Sequence, residues 1–253
     1  MAAQDPRSSS AAGGPAELWE AMAPALFASR RVARTLIEVD AILARVNPPP
    51  GASIVDLGSG AGARAIELGR RGFRVTGIDI VPAFVEYARD VAAREGVPTR
   101  FLQADMREYE ERQGYDVALC LYNLFGFFAD ADAMRLLLHV HASLKPGGKL
   151  LLEILGHEVV TRQWRDFLAG EVDDTLFIER RTLEADGSQL ASHWSITSPT
   201  GRRDFVVRQR LYRADELADA LVRCGFDHPE ISGSIDGAPY DEGAEYLVAL
   251  ARA

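Results

Sequence analysis

Apolar residues between Leu18 and Val46 recur at helical spacing, which predicts one or two helices ahead of the main domain. Three prolines and a glycine at residues 48–51 end this pattern. From there to Leu155, short apolar runs alternate with segments of helical periodicity. Such alternation predicts an α/β fold, in which a parallel sheet is covered by helices on both faces.

The pattern changes character after Leu155. Strand-like runs at 175–184, 189–198 and 203–212 are joined by glycine-containing turns, which predicts an antiparallel β meander. One more helix and two closing strands are predicted after the meander, over 214–225, 228–235 and 245–253.

The length of 253 residues lies within the range that a single hydrophobic core can serve, so we expect one domain with additions. Residues 1–16 are rich in Ala, Ser and Gly without periodicity and are expected to form a flexible leader. The domain then spans 17–253, with a helical lid at 17–47 and the antiparallel insertion at 172–212.

Composition narrows the classes of function. Hydrophobic residues at 47% indicate a folded globular protein, and the net charge of −9 disfavours nucleic acid and anionic membranes as partners. No apolar run approaches the roughly 20 residues that span a bilayer. Two cysteines, Cys120 and Cys224, are too few for a disulfide framework, so we expect a soluble cytoplasmic protein. Composition leaves both a monomer and a homodimer open.

The sharpest local feature is the sequence VDLGSGAG, from Val55 to Gly62, between a predicted strand and a predicted helix. Its three alternate glycines let the backbone turn tightly and bring a ligand against main-chain N–H groups at a helix N-terminus. Asp79 ends the next predicted strand, seventeen positions after Gly62. A carboxylate there can accept hydrogen bonds from both hydroxyls of a ribose, or it can cap the following helix.

Asp105 and Met106 end the third predicted strand, where an acid can accept from an adenine amino group and a Met can cover the ring. A loop-capping Asp and a core Met are the alternatives. The glycine spacing is G-x-G-x-G, whereas nicotinamide-binding folds use G-x-G-x-x-G, and the sequence has no P-loop. These differences disfavour a nicotinamide cofactor or a nucleoside triphosphate as the ligand.

Five motifs in order resemble those of the class I S-adenosylmethionine-dependent methyltransferases, over residues 50–155. They are VDLGSGAG, the acids of GIDI and QADM, the strand YDVALCLYN, and LKPGGKLLLE. The segments 105–109 and 121–148 are also similar to those of a group of small soluble methyltransferases, many of which act on small molecules and carry an antiparallel insertion.

The resemblance implies a Rossmann-like sheet of order 3-2-1-4-5-7-6, with strand seven antiparallel. It also implies S-adenosylmethionine as the cofactor, S-adenosylhomocysteine as the product, and no metal. The implied cofactor contacts are Asp56, Gly58, Ser59, Gly60, Gly62, Asp79, Ile80, Asp105, Met106 and Leu121. Two departures from the family pattern are Ser59, where many members have Cys, and Asn123-Leu124, where close relatives often have a small hydroxyl residue.

Methyl transfer from a sulfonium is an in-line displacement, so the enzyme must mainly position the acceptor and exclude water. A base is optional. His157 follows the fifth predicted strand at the carboxyl edge of the sheet, where ligands of such folds bind, and is our candidate for a catalytic base. A surface or loop-capping role for His157 is the alternative.

The acceptor is expected to meet side chains outside the shared motifs. The expected residues lie after the fourth strand, in the meander and in the leading helices: Tyr122, Asn123, Phe125, Phe127, Trp194 and Trp19. The tryptophans would roof the site and exclude water. A place in the hydrophobic core is the alternative for the aromatic residues.

We therefore expect methyl transfer to O, N or C of a small organic acceptor in specialised metabolism. One alternative is a methyltransferase for protein or RNA. The net charge of −9 argues against it, as does Leu121-Tyr122-Asn123-Leu124 in place of an Asn/Asp-Pro-Pro-aromatic motif. A second alternative is a protein of the same fold that binds the cofactor without methylating, such as a cyclase or a regulatory subunit.

Overall fold

The computed structural model describes residues 15–27 and 29–253. Most of the predicted leader, residues 1–14, lies outside the described part of the chain. Pro15 and Ala16 belong to the first helix, so the leader prediction extended two residues too far.

The helices follow the predicted order, with two additions. They are α1 (Pro15–Leu26), α2 (Ser29–Val46), α3 (Ala63–Arg70), α4 (Pro82–Glu95), α5 (Asp130–Ser143), α6 (His157–Arg162) and α7 (Ala214–Arg223). A short 3-10 helix, Leu124–Phe127, follows the fourth strand. This 3-10 helix and α6 were not predicted, because each is shorter than the window over which helical periodicity is detectable.

The strands are β1 (Ser53–Leu57), β2 (Arg74–Asp79), β3 (Arg100–Gln103), β4 (Tyr115–Cys120), β5 (Leu144–Ile154), β6 (Phe167–Val172), β7 (Thr175–Leu183), β8 (Gln189–Ser198), β9 (Gly201–Arg210), β10 (Asp227–Ser232) and β11 (Leu247–Arg252). Seven of them form the main sheet in the order β3-β2-β1-β4-β5-β11-β10, with β11 antiparallel to both neighbours. Because β10 and β11 are the sixth and seventh strands of this sheet along the chain, the predicted order 3-2-1-4-5-7-6 is confirmed.

Helices cover both faces of the main sheet. One face packs against α5 and α7, and the other against α2, α3 and α4. Val39, Ile42 and Val46 of α2 have no exposed surface, so the second half of the predicted lid belongs to the core. None of the described helices has the length and apolar character needed to span a membrane.

The inserted sheet has one strand more than predicted. Its order is β6-β7-β8-β9, all antiparallel, so the insertion begins at Phe167, five residues before the predicted boundary of 172–212. β6 was missed because its residues are exposed or half-buried and show little alternation of apolar and polar positions.

The strand register brings three strand ends together. Leu57 of β1 is aligned with Ile78 of β2 on one side and with Cys120 of β4 on the other. The segments that follow these strands therefore share one edge of the sheet. The strand order reverses between β1 and β4, and ligands of such folds bind at that point.

Candidate active site

The glycine-rich turn after β1 is held against the end of β2. The amides of Gly58 and Ser59 both donate to Ile78 O, at 2.8 and 2.9 Å. Gly62 has a φ of +80°, and a Cβ there would lie 2.6 Å from Phe101 Cζ. The turn therefore needs glycine both for its backbone conformation and for its close approach to β3.

Asp79 ties the same turn to the start of α4. Its Oδ2 accepts from Gly60 N at 2.8 Å, and its Oδ1 accepts from Val81 N at 2.9 Å. Burial raises the pKa of the Asp79 carboxyl above its usual value, although these backbone hydrogen bonds oppose the shift. Each oxygen has acceptor capacity left for a ligand hydroxyl.

A cavity opens above this turn and extends from the sheet edge to the N-terminal helices. Its walls come from the glycine-rich turn and start of α3, the ends of β2 and β3, the segment after β4, and the helices α1, α2 and α4. The lining residues are Trp19, Leu26, Phe27, Thr35, Gly58, Ser59, Gly60, Ala61, Gly62, Ala63, Arg64, Asp79, Ile80, Phe84, Met106, Tyr122 and Leu124.

Aromatic contacts fix the roof of the cavity. Trp19 of α1 packs edge-on against Phe127, with ring centroids 5.2 Å apart. Phe27, just after α1, packs edge-on against Phe84 of α4 at 4.9 Å. These two contacts attach α1 and the residue after it to the segment after β4 and to α4, with the favourable geometry of aromatic pairs.

A chain of charged groups lies beneath one wall. Arg64 is 6% exposed, and its Nη2 donates to Asp56 Oδ1 at 2.6 Å. Its Nη1 donates to Glu38 Oε1 at 2.8 Å, and its Cζ lies 5.1 Å from the centroid of the Tyr122 ring. The Tyr122 hydroxyl in turn donates to Glu38 Oε2. Burial raises the pKa of the Asp56 carboxyl, while Arg64 favours its ionised form.

Comparison with known proteins shows which family the central part of the chain resembles. Residues 54–148 match the family model described as "Methyltransferase domain". These residues form a methyltransferase domain, and the similar proteins indicate that the methyl donor is S-adenosylmethionine. The matched segment runs from β1 to the middle of β5 and contains the glycine-rich turn, Asp79 and Met106.

Individual proteins agree with this methyltransferase identity. The chain is 29% identical over 185 residues to the putative methyltransferase YqeM of Bacillus subtilis, which covers 70% of this chain and 74% of the relative. It is 30% identical over 117 residues to a ubiquinone biosynthesis O-methyltransferase of Rickettsia prowazekii, covering 46% and 45%. Its fold matches that of S-adenosylmethionine-bound CalS10, an amino pentose methyltransferase from Micromonospora echinaspora. The TM-score is 0.63 at 22% identity, over 93% of this chain and 96% of that one.

The cavity of the methyltransferase fits its cofactor. The glycine-rich turn leaves room for a ligand, because a Cβ on Gly60 would point towards the roof, 3.7 Å from Phe27 Cε1, and both residues line the cavity. A side chain at Gly60 would fill space that the cofactor needs. Asp79 supplies a carboxylate, and Ile80 and Met106 supply apolar surface suited to an adenine ring.

Three of the implied cofactor contacts lie outside the cavity. Asp56 is fully buried and accepts a hydrogen bond from Arg64. Asp105 accepts from the amide and the guanidinium of Arg107, at 2.9 and 3.0 Å, and hydrogen bonding by Arg107 lowers the pKa of its carboxyl. Leu121 is a fully buried core residue. The structure thus favours the loop-capping alternative for Asp105.

The expected acceptor residues divide into two groups. Tyr122 and Trp19 line the cavity, and Phe127 supports Trp19 from behind. Asn123 is buried, with a φ of +60°, and its Oδ1 accepts from Leu155 N at 2.9 Å. Its side chain therefore holds the segment after β4 against the end of β5.

Phe125 and Trp194 also have packing roles. Phe125 is 1% exposed and stacks at a tilt on Tyr212, with ring centroids 5.3 Å apart. Trp194 packs in the small apolar cluster where Leu18 of α1 meets the inserted sheet. Phe125 therefore lies in the hydrophobic core, which was the alternative to an acceptor contact. Trp194 packs in the cluster beneath α1 and so helps to hold that helix in place.

His157 is not brought to the cavity. It starts α6, and its Nε2 lies 3.3 Å from Arg213 Nη2. Because a guanidinium only donates, the His157 Nε2 is the acceptor in this contact. The ring also lies under the turn at Gly187. This placement favours the alternative of a surface or loop-capping role over that of a catalytic base.

Sequence reasoning missed several residues of the site, among them Glu38, Arg64, Thr35 and Phe84. Arg64 had a detectable signal, since it is a charged residue in the first turn of the helix that follows the glycine-rich motif, eight positions after Asp56. Glu38 and Thr35 had none, because helical periodicity does not show which residues of α2 meet distant strands.

Proposed function

We propose that the chain transfers a methyl group from S-adenosylmethionine to O, N or C of a small organic acceptor by in-line displacement. One observation carries this proposal. A single cavity joins the glycine-rich turn and Asp79 to an apolar, aromatic wall that includes Trp19, Tyr122 and Leu124. A cofactor on the turn and an acceptor against the wall would meet inside that enclosure.

We assign cofactor binding to the residues that line the cavity floor. Asp79 accepts from the ribose hydroxyls, and the glycine-rich turn, including Ser59, supports the ligand along the cavity floor. Ile80 and Met106 hold the adenine between them. The hydrogen bond from Gly60 to Asp79 already fixes the backbone of the turn, so the turn loses little conformational entropy when the cofactor binds.

When bound, S-adenosylmethionine supplies an electrophilic methyl group on a sulfonium. The residues of the chain position the acceptor and exclude water. Trp19, Phe27 and Leu124 shield the enclosure with apolar surface. Tyr122, which follows β4, lines the wall where the acceptor would lie. The rate enhancement would come mainly from this alignment, with no part for His157.

The class of acceptor is inferred from the wall and from the relatives. A concave, mainly apolar wall that includes Trp19, Phe27 and Tyr122 suits a small apolar or ring-shaped molecule better than a macromolecule. The names of two similar proteins, a ubiquinone biosynthesis O-methyltransferase and an amino pentose methyltransferase involved in calicheamicin biosynthesis, also support a small molecule and specialised metabolism.

The buried free thiols of Cys120 and Cys224 are consistent with a reducing cytoplasm.

A labelling experiment tests the proposal. The protein is incubated with methyl-tritiated S-adenosylmethionine and, in separate arms, with catechols and quinols, amino sugars, bulk RNA or bulk protein. We expect label in an extractable small molecule and equal formation of S-adenosylhomocysteine. Label only in RNA or protein would support a macromolecular acceptor. Binding of the cofactor without any transfer across the panel would support the non-methylating alternative.

A further inference from the structure

Glu38 lies on α2 where the part that roofs the cavity meets the part that is built into the core. Thr35, one turn earlier, lines the cavity, whereas Val39 just beyond is fully buried. Leu36 and Ile37 are 52% and 72% exposed, so they do little to hold the roof down. A side chain at this junction can decide how firmly the roof is attached.

The Glu38 carboxylate connects α2 to two walls of the cavity at once. Its Oε1 accepts from Arg64 Nη1 at 2.8 Å, and its Oε2 accepts from the Tyr122 hydroxyl. Arg64 lies in the first turn of α3, after the glycine-rich turn, and Tyr122 follows β4. Because Arg64 and Tyr122 both line the cavity, Glu38 fastens the roof to the cavity itself.

The contact between Glu38 and Arg64 is strong, but it can also open at a limited cost. The side chains of Glu38 and Arg64 are only 16% and 6% exposed, and charge-assisted hydrogen bonds shielded from water are stronger than exposed ones. Arg64 is also held by the fully buried Asp56. The Glu38 contact can therefore open without leaving a buried guanidinium unpaired, which would be costly.

We propose that Glu38 is a positioning residue that holds α1 and the first half of α2 closed over the bound cofactor. Opening of its contacts with Arg64 and Tyr122 then sets the rate at which S-adenosylhomocysteine leaves. The inference rests on the proposed function, since it needs the cofactor to occupy the cavity.

The same helix offers a matched control. Asp40 also pairs with an arginine of α3, Arg71, but its side chain is 68% exposed and neither residue lines the cavity. Loss of Asp40 removes one ion pair between α2 and α3 without touching the cavity wall. A general loosening of α2 is thereby separated from release of the roof.

The test is a chase experiment on the full chain. Protein saturated with tritiated S-adenosylhomocysteine is mixed with a large excess of unlabelled compound, and the dissociation rate is measured. We expect Glu38→Ala to release the label roughly 10-fold or more faster, the scale of a lost charge-assisted hydrogen bond. Glu38→Gln keeps an acceptor for Tyr122 and should fall between Glu38→Ala and the unmodified protein. Asp40→Ala should stay within about twofold of the unmodified rate.

Each outcome decides something. An unchanged rate in Glu38→Ala, or equal acceleration in Asp40→Ala, overturns the role of Glu38 while leaving the proposed function intact. Failure of the unmodified protein to bind S-adenosylhomocysteine overturns both. Should Glu38→Ala not fold, hydrogen exchange of the unmodified protein gives a second readout. We expect the ligand to slow exchange in α1 and the first half of α2, and unaltered exchange there would overturn the inference.

Discussion

The amide of Gly60 donates a 2.8 Å hydrogen bond to Asp79 Oδ2. This bond joins the turn after β1 to the end of β2 and fixes the shape of the cavity floor. It also means that the carboxylate proposed to bind the ribose helps to build the site. Asp79 should therefore influence the cofactor both by direct contact and by ordering the turn.

Replacement of Asp79 should weaken the cofactor site. We expect Asp79→Ala to reduce the binding free energy of S-adenosylhomocysteine by about 1.5–3 kcal/mol, the scale of hydrogen bonds to a charged group. Asp105→Ala is the matched control, because Asp105 is paired with Arg107 outside the cavity and should change binding much less. Isothermal calorimetry compares the two variants, and equal affinities would show that the ribose assignment is wrong.

The cofactor affinity should depend on pH through Asp79. Burial raises the pKa of this carboxyl, so it takes up a proton at a higher pH than an ordinary Asp as the solution is acidified. Protonation removes acceptor capacity, so the affinity for S-adenosylhomocysteine should be full above the raised pKa and fall as the pH drops through it. Calorimetry across this window should show that fall in the unmodified protein. Asp79→Asn should bind more weakly and lack this pH dependence, whereas the same dependence in both proteins would exclude Asp79 as its source.

His157 should be dispensable for turnover. Because it contacts Arg213 away from the cavity, we expect His157→Ala to keep kcat within about twofold of the unmodified enzyme. A general base would instead contribute roughly 10²-fold or more. Once an acceptor is known, steady-state kinetics distinguish these results, and a loss of that size would return His157 to the mechanism.

Gly62 should be far less tolerant of a side chain than Gly51. Both have positive φ, +80° and +70°, but a Cβ at Gly62 would lie 2.6 Å from Phe101 Cζ, whereas nothing lies within 4 Å of one at Gly51. We expect Gly51→Ala to cost about 1 kcal/mol of unfolding free energy, and Gly62→Ala about 1–3 kcal/mol more because of crowding. Urea denaturation measures both. Equal costs would mean that close packing does not explain the glycine.

The fold was readable from the sequence where the signal is local. Alternating strands and helices were enough to predict a parallel sheet covered by helices on both faces, and the family resemblance supplied the strand order. β6 escaped because an exposed strand shows little apolar alternation. The roles of Phe125 and Trp19 could not be told apart from the sequence, although Phe125 is a core residue and Trp19 lines the cavity. Both are aromatic, and only the packing between elements that are distant in sequence determines which of them faces the cavity.

The charged groups show the same limit. Asp56 was expected at the cofactor because the family resemblance implied that contact, and the structure pairs it with Arg64 beneath the cavity. Glu38 joins that network from α2, which is remote in sequence. Burial decides the role of each carboxylate, and burial depends on contacts that no single motif contains.

A crystal structure of the chain with S-adenosylhomocysteine tests the central claim most directly. The account predicts ligand density above residues 58–62, with the ribose hydroxyls on Asp79, the adenine between Ile80 and Met106, and the sulfur facing the Tyr122 wall. Density for the ligand at another place on the protein, or none at saturating ligand, would contradict it.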